Sequence, residues 1–188
     1  MKLTLTILFS LTVLSVSFSQ QKFEKESRIS DKNVPETAKQ LVNQITPNCT
    51  IKWYKEENLN SQSIEAKTKY QNKKYSIEFN LDGTLQDVEV QQKATHIKTS
   101  VLKSITTYLK TNYLKHKLKK IQVQYVGTSK QIINYFNNNL NHITINYEIV
   151  VKVKTENGKQ LLEILFDSEG NMLKSDVIVF RNTDNLEF

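Results

Sequence analysis

One hairpin pattern occurs twice in this chain, and it limits the folds open to it more than any other feature. Residues 74–90 read KYSIEFNLDGTLQDVEV, and residues 161–177 read LLEILFDSEGNMLKSDV. Setting Gly83 against Gly170 pairs Tyr75 with Leu162, Ile77 with Ile164, Phe79 with Phe166 and Leu85 with Met172. Each copy alternates apolar and polar residues, breaks at an acidic residue followed by glycine, and then resumes as a strand. Period-two alternation sends successive side chains to opposite faces of a strand, and the glycine break reverses the chain. Both copies therefore read as antiparallel hairpins with one buried face. The core residues this predicts are Tyr75, Ile77, Phe79, Leu162, Ile164 and Phe166. A repeat of this length sets the expectation of one architecture built twice.

The flanking segments extend the pattern. Val34, Ala38, Leu41, Val42 and Ile45 follow helical spacing after Pro35, which suits a first turn. Leu102, Ile105 and Leu109 do the same on a helix spanning about residues 97–114. Strands are expected at 50–56, 63–70, 73–80 and 85–91, then at 118–126 and 143–154, with the second hairpin at 160–180. The second copy carries extra residues near 127–142, where Ile132, Phe136 and Leu140 line one side of a short helix. The expected fold class is α+β: two tandem units, each a helix plus a four-stranded antiparallel sheet, with the helices packed on one sheet face. The first unit takes residues 34–92 and the second 95–181, behind a polar lead-in at 20–33.

The first nineteen residues read as a secretory signal. Lys2 gives a positive start, Leu3 to Val16 is apolar, and Ser17-Phe18-Ser19 places small residues for cleavage between Ser19 and Gln20. The apolar run is too short and too diluted by hydroxyls for a membrane-spanning anchor. The mature chain is expected to be exported, periplasmic or secreted, without stable membrane insertion. Cys49 is the only cysteine, so no intramolecular disulfide can form and the core must supply the stability. The net charge of +7 is almost all lysine, with Arg28 and Arg181 the only arginines. Arginine is the residue that forks onto phosphates and reads bases, so this balance argues against nucleic acid as a partner.

No constellation for chemistry is legible. His96, His116 and His142 have neither metal-ligand spacing nor a second ligand type beside them. Asp167-Ser168-Glu169-Gly170-Asn171 lacks the twelve-residue spacing of a calcium loop. Four glycines supply no phosphate-binding loop. Cys49 reads as a small packed residue and Trp53 as a packing residue. The run Lys115–Lys120 reads as cations complementing the dipole at a helix C-terminus. The expectation is a protein that is not an enzyme, with no catalytic residue, cofactor or metal.

Lys52-Trp53-Tyr54, the Tyr75-x-Ile77-x-Phe79 strand and the Asp82-Gly83 turn resemble PepSY-like domains of secreted bacterial proteins, a group similar to the β-lactamase-inhibitor fold. The resemblance implies a helix-plus-four-strand unit used twice, a place in the cell envelope or outside the cell, and binding of a protein or peptide, as an inhibitor does. The alternative is a structural envelope protein, or one that binds anionic polymers through dispersed lysines. Strand parity adds a candidate partner surface in the second half. Val150, Leu161, Leu165, Ile178 and Phe180 fall on the face opposite the helices, rimmed by Lys152 and Glu163. Apolar side chains gathered on such a face mark a partner site.

Overall fold

The computed structural model describes residues 20–22, 25–58, 61–139 and 142–179; residues 1–19, on which the expected signal and cleavage site fall, and Leu140 and Phe180 lie outside the described residues. In chain order the elements are β1 (Gln20–Lys22), β2 (Lys25–Arg28), α1 (Glu36–Ile45), β3 (Lys52–Glu57), β4 (Gln62–Tyr70), β5 (Lys73–Phe79) and β6 (Leu85–Gln91). These are followed by α2 (Thr99–Asn112), β7 (Lys115–Val126), α3 (Ser129–Phe136), β8 (Thr144–Thr155), β9 (Gly158–Phe166) and β10 (Met172–Ile178).

The two hairpin turns share one geometry. In the first, the Asn80 amide donates to the Thr84 carbonyl and the Gly83 amide to that of Asn80; in the second, Asp167 donates to Asn171 and Gly170 to Asp167. Gly83 and Gly170 hold φ of +86° and +85°, a region costly for any residue with a Cβ. Each turn is also tucked against the start of a helix. A Cβ on Gly83 would collide with Thr37 Oγ1, and one on Gly170 would meet the Val101 carbonyl at 2.8 Å. Short 3-10 turns at Asp31–Asn33 and Ala94–His96 lead into α1 and α2.

The chain does not form two four-stranded units. All ten strands belong to one sheet, in the order β1-β10-β9-β8-β7-β6-β5-β4-β3-β2. The expected boundary is the pairing of β6 with β7, where Val88 faces Tyr125, Val90 faces Val123 and Gln91 faces Gln122. Side chains reinforce the seam, with Gln122 Nε2 donating to Glu89 Oε2 at 2.7 Å and Gln124 Nε2 to Asp87 Oδ2 at 2.9 Å. The segment between β7 and β8 crosses the seam as well. It forms α3, opened by a Thr128–Gln131 capping box, and buries Ile132 completely in the core of the first half. The rings of Phe136 and Tyr75 lie 6.0 Å apart.

All three helices lie on one face of the sheet. Ala38, Leu41, Val42 and Ile45 of α1 pack on Trp53, Ile64, Ile77, Phe79 and Val88, with the Trp53 and Phe79 rings 6.3 Å apart. Val101, Ile105 and Leu109 of α2 pack on Ile149, Val151, Leu162, Ile164 and Phe166. Val101 takes the place expected for Leu102, which is only partly buried. Its i, i+4, i+8 spacing with Ile105 and Leu109 keeps a straighter stripe along the helix.

The polar lead-in supplies both edges. β1 runs parallel beside β10, while β2 runs antiparallel beside β3, at the opposite end of the strand order. In a flat sheet, β10 and β3 would lie about 34 Å apart at the usual strand spacing. The three residue steps from Lys22 to Lys25 reach only about 10 Å. The sheet must therefore curl until one short segment touches both ends. Register shifts in β6, β7 and β10 supply local bends. The parallel β1–β10 pair fits this geometry: counting β1 and β2 as one broken strand leaves an odd number of strands, and an odd alternating set can close only with one parallel pair.

Candidate functional site: the polar inner face of the sheet

The face away from the helices is the inside of the curl. Glu65, Gln122, Asn146 and Asp176 are 6–9% exposed, although among the described residues no helix lies over them. Only the curvature of the sheet and their own neighbours can shield them. The register places a diagonal trail of carboxylates along this face. Glu26 faces Glu56 across β2 and β3, Glu65 faces Glu78 across β4 and β5, and Glu78 faces Asp87 on β6. Glu89 follows on β6, Glu148 on β8, and Glu163 faces Asp176 across β9 and β10.

Like charges on a shielded surface must share protons or find cations, and both solutions occur here. Burial, the Glu78 and Glu148 carboxylates and Glu65 push Asp87 up to about 7, against a stabilising bond from Gln124. Burial and Asp87 push Glu89 up to about 8. At the other end of the trail, burial opposes ionisation of Glu65. Hydrogen bonds with Glu56 and Ser76 and the charge of Lys67 overcome it and hold Glu65 below the ordinary carboxylate range. The Glu26, Glu56 and Glu65 carboxylates have oxygens within 4.8 Å of one another, a spacing that could hold a metal ion. Lys67 already sits among them, its Nζ 2.7 Å from Glu26 and 3.0 Å from Glu65, over the Tyr54 ring at 5.1 Å. The cluster therefore reads as a lysine cradle rather than a metal centre. Asn146 donates to Gln124, which donates to Asp87, in a short chain across β8, β7 and β6. Among the described residues, Gln122 Oε1 and Asp176 Oδ1 find no hydrogen-bond partner.

A second concavity, of about 550 Å³, lies between α1 and the strands β2 and β3, beside Arg28, Asp31, Lys39, Asn43, Cys49 and Trp53. Cys49 donates to the Pro47 and Lys69 carbonyls, and none of the three histidines lines the groove. It assembles no nucleophile–base pair.

This architecture has solved counterparts. The similarity to a BLIP-like protein from Bacteroides fragilis NCTC 9343 has a TM-score of 0.50 at 13% identity, over 80% of this chain and 91% of that one. The fold is BLIP-like. A DUF2874 family protein from Bacteroides ovatus ATCC 8483 gives a TM-score of 0.51 at 12% identity, over 77% and 87% of the two chains. A protein described as periplasmic from Bacteroides eggerthii DSM 20697 gives 0.51 at 11%, over 80% and 93%. No family model and no curated protein matches the sequence.

On the BLIP-like sheet, Val150, Leu161, Leu165 and Ile178, the described apolar residues singled out by parity, occupy the inner face but are not openly exposed. Val150 is 8% exposed and faces Lys120 and Glu163. Leu161, opposite Lys152, and Leu165, opposite Glu148, are half-buried. Ile178 is half-buried on β10, while Lys152 is exposed and Glu163 half-buried. By alternation alone Glu65, Asp87 and Glu89 have the spacing of an ordinary wet strand face, because alternation reports a face and not its curvature. The available signal is the pair of glutamines on β7, Gln122 and Gln124, at positions of the alternation where an exposed strand more often carries charge.

Asp167 braces its own turn: its Oδ1 accepts from the amides of Glu169 and Asn171.

Proposed function

We propose that this is an exported, non-enzymatic binding protein whose inner sheet face receives a segment of a protein or peptide partner in the envelope or outside the cell. The observation that carries the reading is the inner face itself: half-buried apolar side chains at Leu161, Leu165 and Ile178 beside half-buried carboxyls at Asp87 and Glu89. The partner segment suited to it presents an apolar side chain to Leu165 and a basic one to the carboxyl trail, rimmed by Lys152 and Glu163, with Val150 forming the floor. Phe180, which follows β10 in the chain, belongs to the same proposal. Inhibition of an enzyme is one form such binding takes. The PepSY-like kinship suggested by the strand and turn motifs is part of the reading, as is cleavage between Ser19 and Gln20.

The test is a photo-crosslinking side chain placed at Leu165 in one version and at Lys103, on the exposed side of α2, in another. Both are expressed in the native host. A discrete adduct from position 165 alone, lost on changing Asp87→Asn and Glu89→Gln together, supports the reading. Adducts from both positions, or from neither, remove it.

A further inference from the structure

The lysines after α2 do not belong to a helix terminus. α2 ends at Asn112 with Lys110 in its last turn, and the run from Lys115 belongs to β7. Its register stacks lysine on lysine. Lys115 faces Lys154, Lys117 faces Lys152, and Lys154 faces Lys159 across the β8–β9 hairpin. All five are exposed, and none has an ion-pair partner among the described residues. Glu156, in the hairpin turn, is the only acidic side chain between Lys152 and Lys159.

Like charges directly opposite one another destabilise a sheet. Lysines that guard a sheet against edge-to-edge pairing belong on edge strands, whereas β7, β8 and β9 are interior. The ladder therefore costs stability and has no structural return in the isolated chain. Beside it stands Leu114, 66% exposed, its amide donating to the Lys154 carbonyl at 3.0 Å. A bare leucine at the end of a ladder of flexible point charges, with no arginine fork among them, suits a fluid anionic surface better than a fixed phosphate pocket. Acidic residues collect at the other strand ends, at Asp82, Asp167 and Glu169 in the hairpin turns. The molecule is thus polarised along its strands.

We propose that this corner docks peripherally on an anionic phospholipid surface, with Leu114 entering the headgroup layer and Lys115, Lys117, Lys152, Lys154 and Lys159 facing lipid phosphates. The contact shares Lys152 with the rim of the partner face, extends from there toward the β8–β9 hairpin, and needs no membrane-spanning segment. Each lysine near such a surface adds attraction that fades within a Debye length, so binding should be strongly salt-dependent.

The experiment is co-sedimentation of the mature protein with vesicles of phosphatidylcholine alone or mixed with phosphatidylglycerol. Binding to the mixed vesicles only, lost as salt is raised, is the expected result. Changing Lys115, Lys154 and Lys159 together to Gln should weaken it at least tenfold with the melting temperature kept or raised, and Leu114→Ser should weaken it several-fold with the melting temperature kept. The control changes Lys98, Lys103 and Lys130 to Gln, removing equal charge elsewhere, and should bind as the parent does. Equal loss in the control, no binding to anionic vesicles, or binding to soluble heparin without binding to vesicles would each overturn the proposal.

Discussion

The two faces of the sheet are written in the same alternation but are buried by different means. On the outer face Ile77, Phe79, Ile164 and Phe166 are fully buried beneath helices, in ordinary apolar packing. On the inner face Glu65, Gln122, Asn146 and Asp176 are nearly as well shielded, yet by the curl of the strands that carry them. Apolar burial under a helix stabilises the fold. Polar burial inside a curl costs desolvation and is only partly offset by hydrogen bonds, since Gln122 Oε1 and Asp176 Oδ1 find no partner among the described residues. Stability therefore lives on one face, and the other holds polar chemistry that the fold alone does not require.

The largest expected effect lies on the outer face. Phe79→Ala should cost about 3–5 kcal/mol in denaturant unfolding, since the ring is fully buried against Trp53. A loss under about 1 kcal/mol would mean the helix-covered face is not the core. Next comes the helix that crosses the seam. Ile132→Ala should cost about 2–5 kcal/mol and should be felt by Trp53 fluorescence, because Ile132 packs in the cluster containing Trp53. A loss invisible to Trp53 would detach α3 from the first half.

The inner face gives a smaller, pH-dependent effect. Asp87 and Glu89 hold protons in the folded state that the unfolded chain releases near pH 4, since their folded values are about 7 and about 8. Their contribution is therefore fully present below about pH 4 and is lost as the pH rises through 7 and 8. Glu65, held low, works the other way and matters only in acid. Thermal melting should thus show stability falling from about pH 5 to about pH 8. Asp87→Asn with Glu89→Gln should flatten that slope and raise stability at the alkaline end. An unchanged slope would place the titrating groups elsewhere.

Legibility from sequence follows the range of the interactions. The hairpins around Gly83 and Gly170 are readable because a turn and its two strands are close neighbours in the chain and share one alternation. The β6–β7 seam is not, because Val90 and Val123 are far apart in the chain and any two apolar-alternating strands could pair. β1 and β2 are hidden inside QQKFEKESR, since short charged edge strands are what a sheet uses to discourage further pairing. The curl follows from that edge closure and has no local signature. For the candidate site, parity suffices to assign Val150, Leu161 and Leu165 to the face away from the helices. It cannot foresee their burial or the carboxyls beside them whose pKa burial and like charges raise.

The most direct test of this account compares neighbours on β9. Phe166 and Leu165 are adjacent in sequence and point to opposite faces. Chemical denaturation of Phe166→Ala should show a loss of about 3–5 kcal/mol. Leu165→Ser, on the inner face, should lose about 1 kcal/mol or less. Comparable losses from both would contradict the account, because the inner face would then be a second core rather than a surface held for a partner.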